Sequence, residues 1–185
     1  MKKVLTPIAN GVEEIEAVSI IDVLRRAGAD VTVASVHEDL KITASRGVYL
    51  VADKHITECV SESYDLIVLP GGMPGAENLR DCKPLIQLLL KQKNAARLYG
   101  AICAAPAVVL QTHRLLDNLQ ATCHPNFTGY LVNQEAVEKR VVVDGQCITS
   151  RGPGTAMEFS LKLVEILYGR EKAQEVAAPM LFKTD

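Results

Sequence analysis

The chain has 185 residues, a formal net charge of −2, 48% apolar and 23% charged residues, and 4% aromatics with no Trp. That length suits one hydrophobic core, so a single domain over residues 1–185 is expected. The absence of a basic cluster and the scarcity of aromatic platforms argue against sequence-specific nucleic-acid recognition, and no apolar run approaches the roughly 20 residues of a membrane helix.

Lys3–Ile8 reads as a strand followed by a turn at Asn10-Gly11. The N-terminus, Met1 to Pro7, passes straight into this strand with an apolar run too short for a secretory leader, which points to a soluble cytoplasmic protein. Glu13–Ala27 reads as a helix stopped by Gly28, with Ala17, Ile20, Ile21 and Leu24 at helical spacing, and Asp30–Val36 as a β-branched strand. Lys41–Thr43 and Val48–Ala52 are extended pieces expected to form a hairpin-like excursion on the sheet. Leu66–Leu69 is an apolar strand ending at Pro70-Gly71-Gly72-Met73-Pro74-Gly75, followed by a helix over Pro84–Asn94 with Pro in its first turn. Leu98–Ile102 is the next buried strand, Ala104–Gln111 the next helix and Ala121–His124 a strand end. Val141–Val143 and Gln146–Thr149 flank Asp144-Gly145 as a hairpin. A helix over Thr155–Tyr168, closed by Gly169, and a short last helix complete the pattern. Strands alternating with helices predict an α/β fold, a doubly wound and mostly parallel sheet with helices on both faces. Ligands of such sheets sit at the carboxyl ends of the strands, which directs attention to the loops after Leu69, after Ile102 and around His124.

Five cysteines, 59, 82, 103, 123 and 147, include no C-x-x-C pair. Free thiols in a reducing compartment and no zinc site are expected. Cys103 differs from the others because Gly100-Ala101-Ile102-Cys103-Ala104-Ala105-Pro106 resembles a nucleophile elbow with Cys in place of Ser. A free cysteine is ordinarily a small buried hydrophobe. Small neighbours and a following helix N-terminus instead predict a thiol whose pKa falls below the free value of ~8.5. Cys123 is expected to face away from this site if His124 faces it.

On a wheel of about 100° per residue, Glu16 falls inside the apolar arc of Ala17, Ile20, Val23, Leu24 and Ala27, opposite Glu14, Asp22, Arg25 and Arg26. Glu13 and Glu16 each have the chemistry of a helix cap. A cap needs no place on the apolar face, however, and burying a carboxylate costs several kcal/mol unless compensated. Glu16 therefore reads as a functional carboxyl with a raised pKa, sharing a proton with Cys103.

Gly11-Val12-Glu13-Glu14-Ile15-Glu16, Leu69-Pro70-Gly71-Gly72, Ala101–Pro106, His124-Pro125 and Thr149–Thr155 together resemble the ThiJ/PfpI superfamily, in the branch of the human parkinsonism-associated protein and bacterial YajL. The resemblance implies a flavodoxin-like homodimer with Cys103 as nucleophile and Glu16 as the protonated carboxyl on its sulfur. It also implies an oxyanion hole made by the backbone N–H groups of Gly72 and Ala104, with His124 beside the pocket. Arg46 and Arg151 match basic positions near the family's site and are candidate anion-binding residues. Implied activities are cofactor-free, metal-free, glutathione-independent conversion of methylglyoxal to lactate, deglycation of protein or nucleotide adducts, and stress protection with chaperone-like activity. The alternative is a redox-sensing stress chaperone whose Cys103 is oxidised to sulfinate. Ala104 stands where peptidase and Hsp31-like branches carry His, which argues against proteolysis. His124-Pro125-Asn126 likewise departs from the His-x-Glu of glutamine amidotransferases. Ala44 and Val51 replace peripheral cysteines of the human relative.

Overall fold

The computed structural model describes residues 1–183. Strands β1 (Lys3–Ile8), β2 (Asp30–Ser35), β5 (Lys54–His55), β6 (Leu66–Leu69), β7 (Leu98–Ile102), β8 (Val141–Asp144) and β9 (Cys147–Ser150) form one sheet. Its order is β5-β2-β1-β6-β7-β9-β8. All pairings are parallel except the β8–β9 hairpin. Helices α1 (Glu14–Arg26), α4 (Ala156–Tyr168) and α5 (Arg170–Ala177) cover one face, and α2 (Gly75–Asp81) and α3 (Lys83–Asn94) the other. The flavodoxin-like, doubly wound expectation holds. Among the described residues, no helix is long and apolar enough to cross a membrane.

Strand alternation sends side chains to two cores. Val4, Leu66 and Val68 pack with Ile20, Val23 and Leu24 of α1 and Phe159 and Val164 of α4. Leu5, Ile67 and Leu69 pack with Leu79 of α2 and Leu85 and Leu89 of α3. Each such side chain, fully removed from water, contributes roughly 1.5–3 kcal/mol of transfer free energy. Because both faces are covered, β6 reads as an unbroken apolar run.

Four local differences from the sequence reading have physical causes. Helix α2 lies where Gly and Pro suggested only a loop, since its first residue is Gly75 and its core contacts are few: Ala76 and Leu79. Strand β5 is two residues long, too short to leave a pattern. The segment 121–124 is not a strand, because the Thr122 N–H goes to the Thr149 side-chain oxygen at 2.9 Å rather than to a backbone ladder. The helix expected over Ala104–Gln111 is a wide π-type winding over Pro106–Gln111.

Strands β3 (Lys41–Thr43) and β4 (Tyr49–Val51) make a separate antiparallel hairpin rather than an extension of the main sheet. It is pinned over the start of α1. Gly11 N–H donates to Thr43 O and Ser45 N–H to Val12 O, both at 2.8 Å. Glu14 accepts from Ser45 Oγ at 2.9 Å and from Arg46 N–H at 2.8 Å. Glu14 is therefore buried, although the helical wheel put it on the polar side; the hairpin supplies the cover a wheel cannot show.

The chain order reverses between β1 and β6. At that switch point, the loops leaving β1, β6 and β7 gather at one end of the sheet, which is where such folds open a ligand crevice.

Candidate active site

Cys103 follows β7 directly and adopts φ 65°, a left-handed conformation that costs an ordinary residue roughly 1–2 kcal/mol. Two hydrogen bonds hold it there: its N–H donates to Ser150 O at 3.0 Å, and its carbonyl accepts from His124 N–H at 2.8 Å. The elbow is thus a clamped turn between β7, β9 and the His124 loop. Cys103 is 7% exposed.

The loop after β6 closes on this elbow. A Cβ on Gly71 would stand 2.5 Å from the Cys103 Cβ, so no larger residue fits. A Cβ on Gly72, which sits at φ 87°, would come equally close to the Glu13 nitrogen. These approaches bring the Gly72 N–H, together with that of Ala104, onto the Cys103 sulfur.

Glu16 is fully buried in the first turn of α1. Its Oε2 accepts from Gly71 N–H at 2.8 Å, while the Glu13 N–H returns a bond to Gly71 O at 2.9 Å. This reciprocal clasp joins the α1 turn to the β6 loop. Oε1 has no partner of good hydrogen-bond geometry, and the carboxyl's remaining neighbour is the Cys103 thiol. Burial, helped by the Glu13 charge, lifts the Glu16 pKa to about 7 against the pull of the Gly71 N–H and the thiol. Burial, followed by the Glu16 carboxylate, pushes Cys103 up to about 12, against the Gly72 and Ala104 N–H groups. This reverses the depressed thiol read from the sequence. The elbow opens into a short, wide winding rather than a regular helix, and the sulfur is desolvated.

His124 is anchored by its backbone to Cys103. Its Nδ1 accepts from Asn126 N–H at 3.3 Å, and its ring meets Phe127 edge-on at 6.2 Å. With Nδ1 engaged as an acceptor, Nε2 is the ring nitrogen left to donate. Cys123 is fully buried and packs in the core cluster opposite to that of Cys103. Neither arginine joins the pair. Arg46 is exposed at the hairpin tip, its guanidinium against Ser45 O at 3.4 Å. Arg151 is ion-paired with Glu138 at 3.3 Å. Among the described residues, no group of three His, Cys, Asp or Glu is arranged to hold a metal. A groove of about 440 Å³, lined by Met73, Glu77, Ala107, Phe127 and Tyr130, lies beside the Gly72 and His124 loops. A further cavity of about 380 Å³ between α4, α5 and Phe182 has no part in this cluster.

The clasp through Gly71 and the burial of Glu14 escape sequence reading. The Gly71-Gly72 pair was the available signal, since adjacent glycines at a strand end invite close backbone approach.

The architecture and the elbow define an α/β protein built around a buried thiol–carboxyl pair at the switch point of a parallel sheet. Residues 2–166 match the DJ-1/PfpI family. The chain belongs to that family. It is 51% identical over 183 residues to "Protein DJ-1 homolog B" of Arabidopsis thaliana, covering 98% of this chain but 42% of that relative. The chain thus spans less than half the length of that relative. The structure of "Toxoplasma gondii DJ-1, oxidized" superposes with a TM-score of 0.97 at 49% identity, covering both chains completely. "Glutathione-independent glyoxalase DJR-1.2" of Caenorhabditis elegans is 35% identical over 170 residues, 91% of this chain and 89% of that relative.

Proposed function

We propose that the chain is a cysteine-dependent enzyme acting on reactive 2-oxoaldehydes without a cofactor, converting methylglyoxal and water to lactate. The buried Glu16 carboxyl set against the Cys103 sulfur carries this reading; the relative named as a glyoxalase supports it. Glu16 accepts the thiol proton as the Cys103 sulfur adds to the aldehyde carbon, and that proton passes to the aldehyde oxygen, giving a hemithioacetal. The Gly72 and Ala104 N–H groups meet the charge developing on that oxygen. Glu16 then carries the proton on C1 to C2 through an enediol, while the hydroxyl proton moves to the C2 oxygen with the Nε2–H of His124 as relay. C1 is left as a thioester. Water cleaves it, releasing the hydroxy acid and restoring the thiol. Arg46, exposed at the hairpin tip, and Arg151, ion-paired with Glu138, enter none of these steps.

Cys103→Ser should abolish methylglyoxal turnover while leaving the fold intact; retained turnover overturns the reading. Hemithioacetals and aminocarbinols on proteins or nucleotides would reach the same thiol. Assays with the free aldehyde scavenged separate direct deglycation from removal of aldehyde released at equilibrium. The five free cysteines suit a reducing cytoplasm.

A second reading, Cys103 as a redox sensor oxidised to sulfinate, draws on the relative whose structure is described as oxidized. A protonated Glu16 would donate a hydrogen bond to a sulfinate oxygen. The two readings are compatible, since oxidation would halt turnover.

We also propose that a second copy of the chain covers the outer face of α1 and the β3–β4 hairpin. Ile15, Val18, Tyr49 and Val51 are 47–69% exposed there, and Val18, Leu50 and Val51 line one depression. Val51→Asp should convert a dimer to monomer in sedimentation; an unchanged sedimentation coefficient argues against this face.

A further inference from the structure

We propose that Glu13 is a positioning residue for the Glu16–Cys103 pair: it fixes the helical turn that carries Glu16 and sets a negative charge beside the pair. Glu13 is the N-cap of α1, with φ −79° and ψ 120°. Its Oε2 accepts the N–H of Glu16 itself at 2.9 Å, and its carbonyl accepts the N–H of Ala17 at 3.0 Å. Its own N–H donates to Gly71 O, whose residue in turn donates to Glu16 Oε2. One residue therefore binds both the backbone of the acid and the loop that grips its carboxyl.

A Ser, Thr or Asp would satisfy the cap as well or better. Glu13 adds a longer reach and a charge at the mouth of a buried pair. The titratable groups acting on Glu16 are Cys103 from the β7 elbow and Glu13 from its own helix start, with the neutral Gly71 N–H from the β6 loop. Glu14, the adjacent carboxylate, is engaged by Ser45 and the Arg46 N–H instead. Removing the Glu13 charge should let the pair lose its first proton at lower pH, whichever atom gives it up.

The proposal rests on the pair sharing a proton and is tested apart from aldehyde turnover, by the pH profile of Cys103 alkylation with iodoacetamide. Glu13→Gln retains an oxygen for the cap and should shift the acid limb down by about half a pH unit, with little change in Tm. Glu13→Asp, which keeps the charge, should leave the profile near that of the unaltered protein. Glu13→Ala should shift the profile as Gln does and also lower Tm. A Gln profile that overlays the unaltered one, or Gln and Asp profiles that move together, overturns the proposal. If Glu13→Ala does not fold, the Gln–Asp contrast still decides. A protein inert toward methylglyoxal would overturn the proposed function and leave this contrast unaffected.

Discussion

Replacing Glu16 by Gln makes the strongest test of the buried pair, because its effect on stability has a sign and a pH window. The carboxyl rises from an ordinary 4.5 to about 7 in the folded protein, principally through burial. A raised acid favours folding fully below the unfolded pKa, and the advantage is lost as pH rises through the folded value. Between pH 4.5 and 7 the folded state therefore forfeits about 3 kcal/mol relative to its acid-side stability. Gln removes that loss while preserving an oxygen for the Gly71 N–H. Urea unfolding at pH 5 and pH 8 should show Glu16→Gln gaining about 2–3 kcal/mol more, relative to the unaltered protein, at pH 8 than at pH 5. The same substitution should suppress Cys103-dependent turnover. An equal stability difference at both pH values would refute the assignment of Glu16 as an acid whose pKa burial has raised to about 7.

Gly71→Ala would press a methyl within 2.5 Å of the Cys103 Cβ, so the elbow must shift. Loss of turnover and destabilisation of about 1–3 kcal/mol, read by urea unfolding, are expected; unchanged activity would contradict the close approach. Mild peroxide should add two oxygens to Cys103 and spare the fully buried Cys59 and Cys123, as peptide mass spectrometry would show. Uniform oxidation would count against a special site. Glu14→Gln should loosen the hairpin that Glu14 holds through Ser45 and Arg46, raising amide exchange at Ser45 and Arg46; exchange at β7 should stay unchanged.

The sheet was legible because covered parallel strands need continuous apolar runs, and Leu66–Leu69 or Leu98–Ile102 offer little else. Glu16 was legible for the converse reason: a carboxyl among Ile20, Val23 and Leu24 breaks the pattern of its own helix. What escaped reading depends on contacts made at long range. Glu14 turns inward only because residues 41–51 fold over it. Helix α2 starts at Gly75, where composition spells a turn and packing overrides it. The segment 121–124 fails as a strand because one Thr149 hydroxyl captures the N–H a ladder would need.

The reversed thiol is the most instructive of these differences. Helix-start arguments treat the sulfur as exposed and the field as the only influence, whereas here desolvation and a neighbouring carboxylate oppose ionisation. A resting thiolate is not required for the chemistry. While Glu16 is ionised its charge opposes a second charge on sulfur, but once it holds the proton that repulsion vanishes and the acid becomes a donor. The Gly72 and Ala104 N–H groups then face a sulfur whose charge they can stabilise. The nucleophile is thus formed as the proton crosses to Glu16, at the moment of attack, and a thiol kept largely protonated at rest would be spared indiscriminate reaction. The arrangement predicts that turnover follows the ionisation of the pair near neutrality, rather than the high pH at which an isolated buried thiol would ionise.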